Sequence, residues 1–443
     1  MYILCYDLFV RGGLKIMKET EEFHVYLLKM SVCGIKNIDK DITLDFYKNT
    51  VDKNFNPDKY RIKGIYGENG VGKSAVIMAV KLFREIMLHK GYLGNEQNNS
   101  KLSYLINKKS NKAEFKAEYL YYTDDKKTMH IYEVGLVIKR NKQNNNFEIA
   151  EEYCYLRKGK DRSLVYYVSN GKLTTSFENS AHEKIDEISK NLLKDNSLLS
   201  IVNYNRDSID GSVKDVLENI SVCLLVTYVY IDDKDLHNEY IFRKIYDKNK
   251  TITGRQSVNI MTVNPISVNK NQYKEFVKEI SGLEKFIRIF KPDLKGIDID
   301  KKENKDRYIC ELVFRYDEYS VYGEFESTGI KRLVELYNAF KFVSLGYVVF
   351  IDELDANIHD YYLCKLLEYV GEYCEGQLCF TTHNLGPMRV LKNYKKSIDF
   401  LSRDGEITSW IKNGNYQVDS LYKKGLIDKS PFNLEAFDFL EVF

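Results

Sequence analysis

The sequence has little proline, a single tryptophan and no surplus of charge of either sign. Among its 443 residues are 5 Pro and 1 Trp, and 66 Lys and Arg are balanced by 64 Asp and Glu, giving a formal net charge of +2. A chain so close to neutral has no overall field that attracts nucleic acid or an anionic membrane, so any nucleic-acid surface must be a local patch. It also lacks an apolar run of the roughly 18 residues that a membrane-spanning helix needs, and we predict no membrane association.

Cysteine patterns that would bind zinc or build a disulfide framework are also missing. The 8 cysteines are scattered, with neither a CxxC pair nor a Cys/His ligand spacing. Such usage is typical of reduced thiols and predicts a cytoplasmic location. The apolar part of residues 1–22 is too short for a signal peptide, so we interpret this stretch as an N-terminal extension upstream of a natural start at Met17.

The remaining composition is that of a soluble globular protein long enough for two or three domains. Alternating apolar and polar residues predict two antiparallel strands over 23–46, and short β-prone runs predict an antiparallel meander over 114–178. Between them, a strand at 62–66 leads into a glycine-rich loop, and apolar residues at helical spacing predict a helix over 74–88. We therefore assign 23–179 to the first part of an α/β domain.

The segment 180–295 is predicted to be a mainly helical insert in that domain. Its clearest helix covers 273–290 and ends before Pro292, which cannot continue a helix. The apolar face of this helix consists of Phe276, Ile280, Leu283, Ile287 and Phe290. A packing lobe and a partner-binding role explain the insert equally well.

Residues 296–443 are predicted to complete the α/β domain. Three strands near 296–327 are followed by a helix, a very apolar strand at 346–352, another helix and a strand at 377–383. This alternation is typical of a parallel sheet covered on both faces by helices. The tail from about 397 is predicted to have mixed structure with an amphipathic end. The expected fold class is thus α/β, with an antiparallel meander and a parallel core.

The glycine-rich loop GENGVGKS matches the GxxxxGK[ST] pattern of a phosphate-binding loop between a strand and a helix. Backbone N–H groups of such a loop converge on phosphate oxygens, aided by the positive end of the following helix. Lys73 is expected to reach the outer phosphates of ATP, and the Ser74 hydroxyl to hold Mg²⁺. The residues expected to bind the nucleotide are Gly67, Glu68, Asn69, Gly70, Val71, Gly72, Lys73, Ser74 and Ala75.

A second motif, YVVFIDELDANIHD at 347–360, has two carboxylates directly after a buried strand. Ligands of a doubly wound sheet bind at the carboxyl ends of its strands, so Asp352 is expected in the metal shell. Glu353 is then expected to polarise the attacking water. The alternative is a strand that merely ends in a solvated acidic turn.

The same motif resembles the Walker B and D-loop sequences of SMC and ABC-type ATPases, and FTTHN at 380–384 resembles their switch histidine. That resemblance implies that His383 contacts the γ-phosphate. In GEFESTGIKRLVEL, the triplet Ser327, Thr328 and Gly329 resembles the ABC signature, which binds the γ-phosphate of ATP held by the other subunit. A simple helix N-cap at Ser327 or Thr328 is the alternative.

Over 25–443, the order of these motifs resembles the bacterial ABC-type ATPases of the abortive-infection and OLD-like group. The resemblance implies a dimer that closes head to tail on two ATP molecules and acts as a sensor or scaffold in defence against phage. It also implies an effector partner such as a nuclease or toxin.

Two features of related ATPases are missing from the sequence. We expect no Toprim nuclease domain of the OLD-like kind in the short stretch after His383, and no glutamine can be assigned as a Q-loop. The one DxD pair, Asp298 and Asp300, is predicted to lie on the solvated face of a strand rather than to bind metal.

Two other functions stay open from the sequence. One is a DNA-repair ATPase of the SMC or RecF kind, although the insert lacks the long heptad arms of an SMC protein. The other is an assembly scaffold that binds ATP tightly and hydrolyses little of it.

Overall fold

The protein is described here by a computed structural model, which covers residues 23–52, 54–123, 129–159, 161–205, 208–209, 211–231, 262–411, 418–424 and 427. The predicted N-terminal extension over 1–22, with its start at Met17, lies outside the described residues. So does the predicted amphipathic end of the tail. In the described ranges, no helix is both long and apolar enough to cross a membrane.

Strands and helices follow one another along the chain in the order that the sequence largely predicts. The strands are β1 (Phe23–Cys33), β2 (Ile42–Asp45), β3 (Ile62–Tyr66), β4 (Lys112–Thr123), β5 (Met129–Arg140), β6 (Phe147–Lys158), β7 (Asp161–Ser169), β8 (Lys172–Thr175), β9 (Thr227–Tyr230), β10 (Ile266–Asn269), β11 (Gly296–Asn304), β12 (Arg307–Arg315), β13 (Ser320–Tyr322), β14 (Val348–Ile351), β15 (Gln377–Thr381), β16 (Ile398–Leu401) and β17 (Ile407–Ser409). The helices are α1 (Lys73–Leu88), α2 (Glu96–Leu105), α3 (Asn179–Ser189), α4 (Leu198–Tyr204), α5 (Gly211–Leu225), α6 (Tyr273–Phe290), α7 (Thr328–Ser344), α8 (Asp360–Tyr373), α9 (Met388–Leu391) and α10 (Val418–Lys423).

The first large sheet is antiparallel and has the strand order β2-β1-β4-β5-β6-β7-β8. It confirms the two strands predicted over 23–46 and the meander predicted over 114–178. In β5, the Tyr153 ring of β6 occupies the space beside Gly135, and a Cβ at this position would come 2.1 Å from that ring. The meander therefore packs through aromatic side chains laid across neighbouring strands.

The second large sheet has the order β17-β16-β3-β15-β14-β9 and is parallel except for the β16–β17 hairpin. All five residues of β3 and of β15 are buried, as a parallel strand covered on both faces requires. Helix α1 contacts strands of both large sheets, while α7, α8 and α9 contact the parallel sheet. The predicted parallel core is thus confirmed, and the fold is mixed α/β.

One buried side chain joins the two large sheets directly. The Gln377 amide of β15 donates to the Leu27 carbonyl of β1 at 2.9 Å, and its oxygen accepts the Leu27 N–H at 2.7 Å. The pairing of β1 with β4 shifts its register at this position. Gln377 therefore supplies hydrogen bonds to a residue at which the antiparallel ladder is irregular.

The segment 180–295 contributes to two different cores. Its described residues include helices α3 to α6. Of the predicted apolar face of α6, Phe276, Ile280, Leu283 and Ile287 are buried, and Phe290 is partly exposed. The strands β9 and β10 were not predicted; β9 pairs with β14 at the edge of the parallel sheet. Strands β10 to β13 form a smaller sheet that packs with α6 and with part of α7 around a second hydrophobic core, which we call the small lobe.

Candidate functional site

The described loops that follow three neighbouring parallel strands, β3, β15 and β14, meet at one edge of the second sheet. The strand β9 lies beside β14, and all four strands run in the same direction. The glycine-rich loop follows β3, His383 follows β15, and Asp352 follows β14. The structure therefore brings three motifs that are distant in sequence to the carboxyl ends of adjacent strands, where ligands of such sheets bind.

The glycine-rich loop has a backbone that only glycine adopts readily. Gly70 and Gly72 have φ values of 79° and 111°, and Gly70 faces open space. Helix α1 begins at Lys73, and its N-cap Gly72 offers no side chain to accept the first N–H groups of the helix. The Asn37 amide donates to the Gly70 carbonyl at 2.9 Å and so fixes the loop from outside. The loop thus leaves backbone donors at a helix N-terminus for an anionic ligand.

Lys73 holds a positive charge inside this loop. Its ammonium donates to the carbonyls of Gly67 at 2.9 Å and Glu68 at 2.8 Å, and the residue is only 6% exposed. Burial lowers the pKa of Lys73, whereas the carboxylates of Asp352 and Glu353 act to raise it. The electrostatic effect of both carboxylates on Lys73 indicates that the loop and the acidic turn belong to the same site.

The acidic turn after β14 is held by the neighbouring strand β15. The Thr381 hydroxyl donates to Asp352 Oδ1 and accepts the Glu353 N–H at 2.8 Å. Asp352 is 7% exposed, and Glu353 is exposed. Further along the turn, Asp355 Oδ1 is buried and has no hydrogen-bond partner among the described residues. Carboxylate oxygens therefore remain available at this edge for a cation or a polar ligand.

The serine of the predicted signature caps a helix in this structure. Ser327 Oγ accepts the Ile330 N–H at 3.4 Å at the start of α7, which is the N-cap arrangement that the sequence left open as an alternative. Thr328 lines a cavity of about 330 Å³ together with Asp352 and Glu353. No described hydrogen bond joins Ser327, Thr328 or Gly329 to the phosphate loop of the same chain.

His383 is exposed in the loop that follows β15. The Asn384 N–H donates to Thr382 Oγ1 at 2.9 Å, and Asn384 Oδ1 accepts the Gly386 N–H at 2.9 Å. Gly386 lies so close to the Asp360 carboxylate that a Cβ there would come 1.9 Å from it. These contacts fix the backbone on the C-terminal side of His383, so the imidazole is presented at the sheet edge.

Both carboxylates of the DxD pair in the small lobe have partners within the protein. Asp298 pairs with Arg315 at 3.0 Å, and Asp300 accepts the Tyr322 hydroxyl at 3.1 Å. Within the part of the chain that the structure describes, no three His, Cys, Asp or Glu side chains gather as metal ligands. Magnesium in nucleotide sites needs only one or two protein ligands beside the phosphates, and Ser74 and Asp352 fit that requirement at the sheet edge.

Several residues of the site have roles that we did not predict from the sequence. Thr381 holds the acidic turn, Asn37 holds the glycine-rich loop, and Arg332 of α7 donates to the carbonyls of Asp352 and Glu353. Thr381 had a visible signal, because it is the last residue of an apolar strand. Asn37 and Arg332 had none, since only the tertiary fold brings them to the site.

No protein-family model and no curated protein matches this chain. Among solved structures, it is similar to an Smc head bound to the C-winged helix domain of ScpA, with 16% identity, a TM-score of 0.41, and coverage of 87% of this chain and 97% of that one. An SMC head domain from Thermotoga maritima matches at 15% identity and a TM-score of 0.38, with coverage of 87% and 99%. A Pyrococcus furiosus Smc head domain bound to the C-terminal domain of ScpA matches at 16% identity and a TM-score of 0.41, with coverage of 87% and 96%.

Proposed function

We propose that this chain binds ATP with Mg²⁺ at the loop Gly67–Ser74 and hydrolyses it. The observation that supports this most directly is the common sheet edge, where a glycine-rich loop, a buried lysine and a helix N-terminus lie beside two carboxylates. Phosphate binding needs the first three features, and hydrolysis needs a metal ligand and a group that activates water. A chance GxxxxGK[ST] match would not bring Asp352 and Glu353 to the same edge.

The residues of the loop bind and orient the triphosphate. Backbone N–H groups between Gly67 and Ala75 contact its oxygens, and Lys73 exchanges its bonds to the loop carbonyls for bonds to the outer phosphates. Ser74 and Asp352 would hold Mg²⁺, which would neutralise negative charge on the phosphates.

The residues beyond the loop carry the hydrolysis. Glu353 is exposed and accepts a proton from the attacking water, while His383 contacts the γ-phosphate from the neighbouring strand end. In a head-to-tail dimer, Ser327, Thr328 and Gly329 bind the γ-phosphate of the ATP that the second copy holds. Their position at the N-terminus of the 17-residue helix α7, with Ser327 and Thr328 exposed, suits an anionic group from outside the chain.

The biological role that we propose rests on the resemblance of the motif order to abortive-infection and OLD-like ATPases. In this role, the protein is cytoplasmic, dimerises on ATP and acts as a sensor or scaffold that controls an effector such as a nuclease or toxin. Expression with its genomic neighbours, followed by phage challenge, tests this role separately from ATP turnover. Stimulation of turnover by DNA, with strong salt dependence, would instead favour the DNA-repair function.

ATP binding and turnover by purified variants test the biochemical proposal. Lys73→Ala should lose both nucleotide affinity and turnover, whereas Glu353→Gln should keep the affinity, lose turnover by about 10²- to 10⁴-fold and accumulate as the dimer. Lys101→Ala removes an exposed lysine of α2 and is the matched control. Full affinity and turnover in Lys73→Ala would refute the proposal. If Glu353→Gln leaves phage protection intact, ATP acts as a structural ligand of a scaffold.

A further inference from the structure

The acidic turn has an unusual backbone at the residue to which we assign water activation. Glu353 has a φ of 48°, in the left-handed region that residues with a Cβ seldom occupy. Such a conformation persists only where the surrounding structure enforces it. Because the Glu353 side chain is exposed, the direction of its carboxylate depends on how firmly its backbone is held.

Two side chains form hydrogen bonds to this backbone. The Thr381 hydroxyl accepts the Glu353 N–H, and the Arg332 guanidinium donates from Nη2 to the Asp352 carbonyl at 3.2 Å and to the Glu353 carbonyl at 3.0 Å. Thr381 reaches the turn because it is the last residue of β15, the strand adjacent to β14. Arg332 comes from the helix α7, which lies outside the sheet, and it contacts both peptide groups of the turn.

Arg332 is itself fixed in place by partners that suit an arginine. Its Nη1 donates to the Tyr230 hydroxyl at 2.7 Å, its guanidinium lies 4.8 Å from the centre of the Tyr230 ring, and Glu335 Oε2 is 3.5 Å from Nη1. The Tyr230 hydroxyl in turn donates to Glu335. Arg332 is 9% exposed, so its charge is compensated by Glu335 and its planar fork is held by the ring.

We propose that Arg332 is a positioning residue for hydrolysis, which sets the direction of the Glu353 carboxylate by holding the two carbonyls of the turn. The inference rests on the proposed function, because it assigns Arg332 a part in that same reaction. Arg332 does not contact the phosphate loop through any described hydrogen bond, so it acts on the rate of the chemical step and not on nucleotide affinity. Lysine does not reproduce these bonds, since Nη2 serves the two carbonyls and Nη1 the Tyr230 hydroxyl, and one ammonium cannot occupy both positions.

The kinetics of Arg332→Ala test this assignment. We expect kcat to fall about 10- to 100-fold with unchanged ATP affinity, since a small misplacement of a catalytic group costs rates of this order. Arg332→Lys should be similarly slow. In a Glu353→Gln background, Arg332→Ala should lower turnover no further, because both substitutions act through the same carboxylate. Arg288→Ala removes an arginine that is about half exposed in the small lobe and is the matched control.

Chemical rescue separates positioning from a general structural role. Arg332 and Glu353 both line the 330 Å³ cavity, so free guanidinium can reach the space that Arg332→Ala vacates. Millimolar guanidinium chloride should restore part of kcat in Arg332→Ala, and sodium chloride or methylammonium chloride should not. Thermal unfolding shows whether Arg332→Ala is folded. If it is not, Tyr230→Phe replaces it, because this variant keeps the ring and removes the hydroxyl partner of Arg332. It should lower kcat with unchanged ATP affinity.

The outcomes distinguish this inference from the proposed function. If the wild type does not hydrolyse ATP, or if Lys73→Ala turns over normally, the proposed function is wrong. If those tests succeed but Arg332→Ala keeps the wild-type kcat, or loses ATP affinity in proportion to kcat, only the role of Arg332 is wrong. If Arg332→Ala is unfolded, a wild-type kcat in Tyr230→Phe equally overturns the role of Arg332.

Discussion

A buried ion pair on the strand that precedes the glycine-rich loop allows a quantitative test of how the sheet is stabilised. Lys63 is the second residue of β3, and its ammonium is 2.6 Å from Asp399 Oδ2 on β16. Both side chains are 1% exposed, and the Ser409 hydroxyl donates to the other carboxylate oxygen at 2.7 Å. The perturbation is Lys63→Met, which removes the charge and roughly keeps the volume.

The expected loss of stability comes from the carboxylate that this substitution leaves unpaired. At 2.6 Å and an effective dielectric of about 20, the attraction within the pair is about 6 kcal/mol. Desolvation of two charges offsets most of this, so the intact pair contributes little relative to an apolar pair. Removing Lys63 alone leaves Asp399 charged and buried, and we expect a cost of about 3–5 kcal/mol. The double variant Lys63→Met/Asp399→Leu should be more stable than either single variant.

The only tryptophan reports on this region directly. The backbone N–H of Trp410 donates to the Ile398 carbonyl of β16 at 2.8 Å, so tryptophan fluorescence during urea unfolding follows the strand that carries Asp399. Lys29→Met is the control, because its pair with Asp45 is exposed, 3.9 Å long and worth about 1 kcal/mol or less. A loss below about 1 kcal/mol in Lys63→Met would refute the reasoning, as would a double variant whose loss equals the sum of the single losses.

Three further predictions concern stability. Gln377→Leu leaves the buried N–H and carbonyl of Leu27 unpaired and should cost about 2–5 kcal/mol in urea unfolding, and a loss below 1 kcal/mol would contradict this. Gly135→Ala should cost about 1–3 kcal/mol of unfolding free energy, because its Cβ meets the Tyr153 ring. The same substitution should cost less in a Tyr153→Ala background, where the ring is absent. Burial raises the pKa of Glu152 from 4.5 to about 7, so the native state holds a proton that the unfolded state has lost between these pH values, and stability should fall as pH rises across them. Glu152→Gln should remove this slope in thermal unfolding, and an unchanged slope would assign it to other groups.

The strands and helices were predictable where one periodicity covered a whole element. The apolar run of β3 before a glycine-rich loop, the helical spacing of α1 and the alternation in the meander each depend on local sequence alone. The acidic turn was predictable for the same reason, since Asp352 and Glu353 directly follow four buried residues. The alternation of helix and buried strand also predicted the parallel core, but not the place of β15 between β3 and β14.

The strand β9 was missed because its sequence is ambiguous. Its four residues, Thr227–Tyr230, directly follow the apolar helix α5, and a short buried run cannot be assigned by periodicity. This strand brings Tyr230 to the sheet edge, where it contacts Arg332. The contact between Tyr230 and Arg332 could therefore not be predicted, since Tyr230 lay in an unassigned strand and Arg332 in a helix of which only the start, Ser327 to Gly329, had been given a role.

The order of the sheet explains how long segments can lie between the parts of the site. A parallel strand contributes the loop at its carboxyl end wherever the strand occurs in the chain, so β3 and β14 bring Lys73 and Asp352 together although the meander, β9 and much of the small lobe intervene in sequence. The intervening chain is constrained only where it must pack. Helix α7 both packs in the small lobe and contributes to the site. Leu333 and Tyr337 lie in the core of the small lobe, and Arg332 reaches the acidic turn. A rigid helix cannot move one of these contacts without the other. A ligand of the small lobe would therefore affect the proposed hydrolysis only if its affinity differed between two positions of α7.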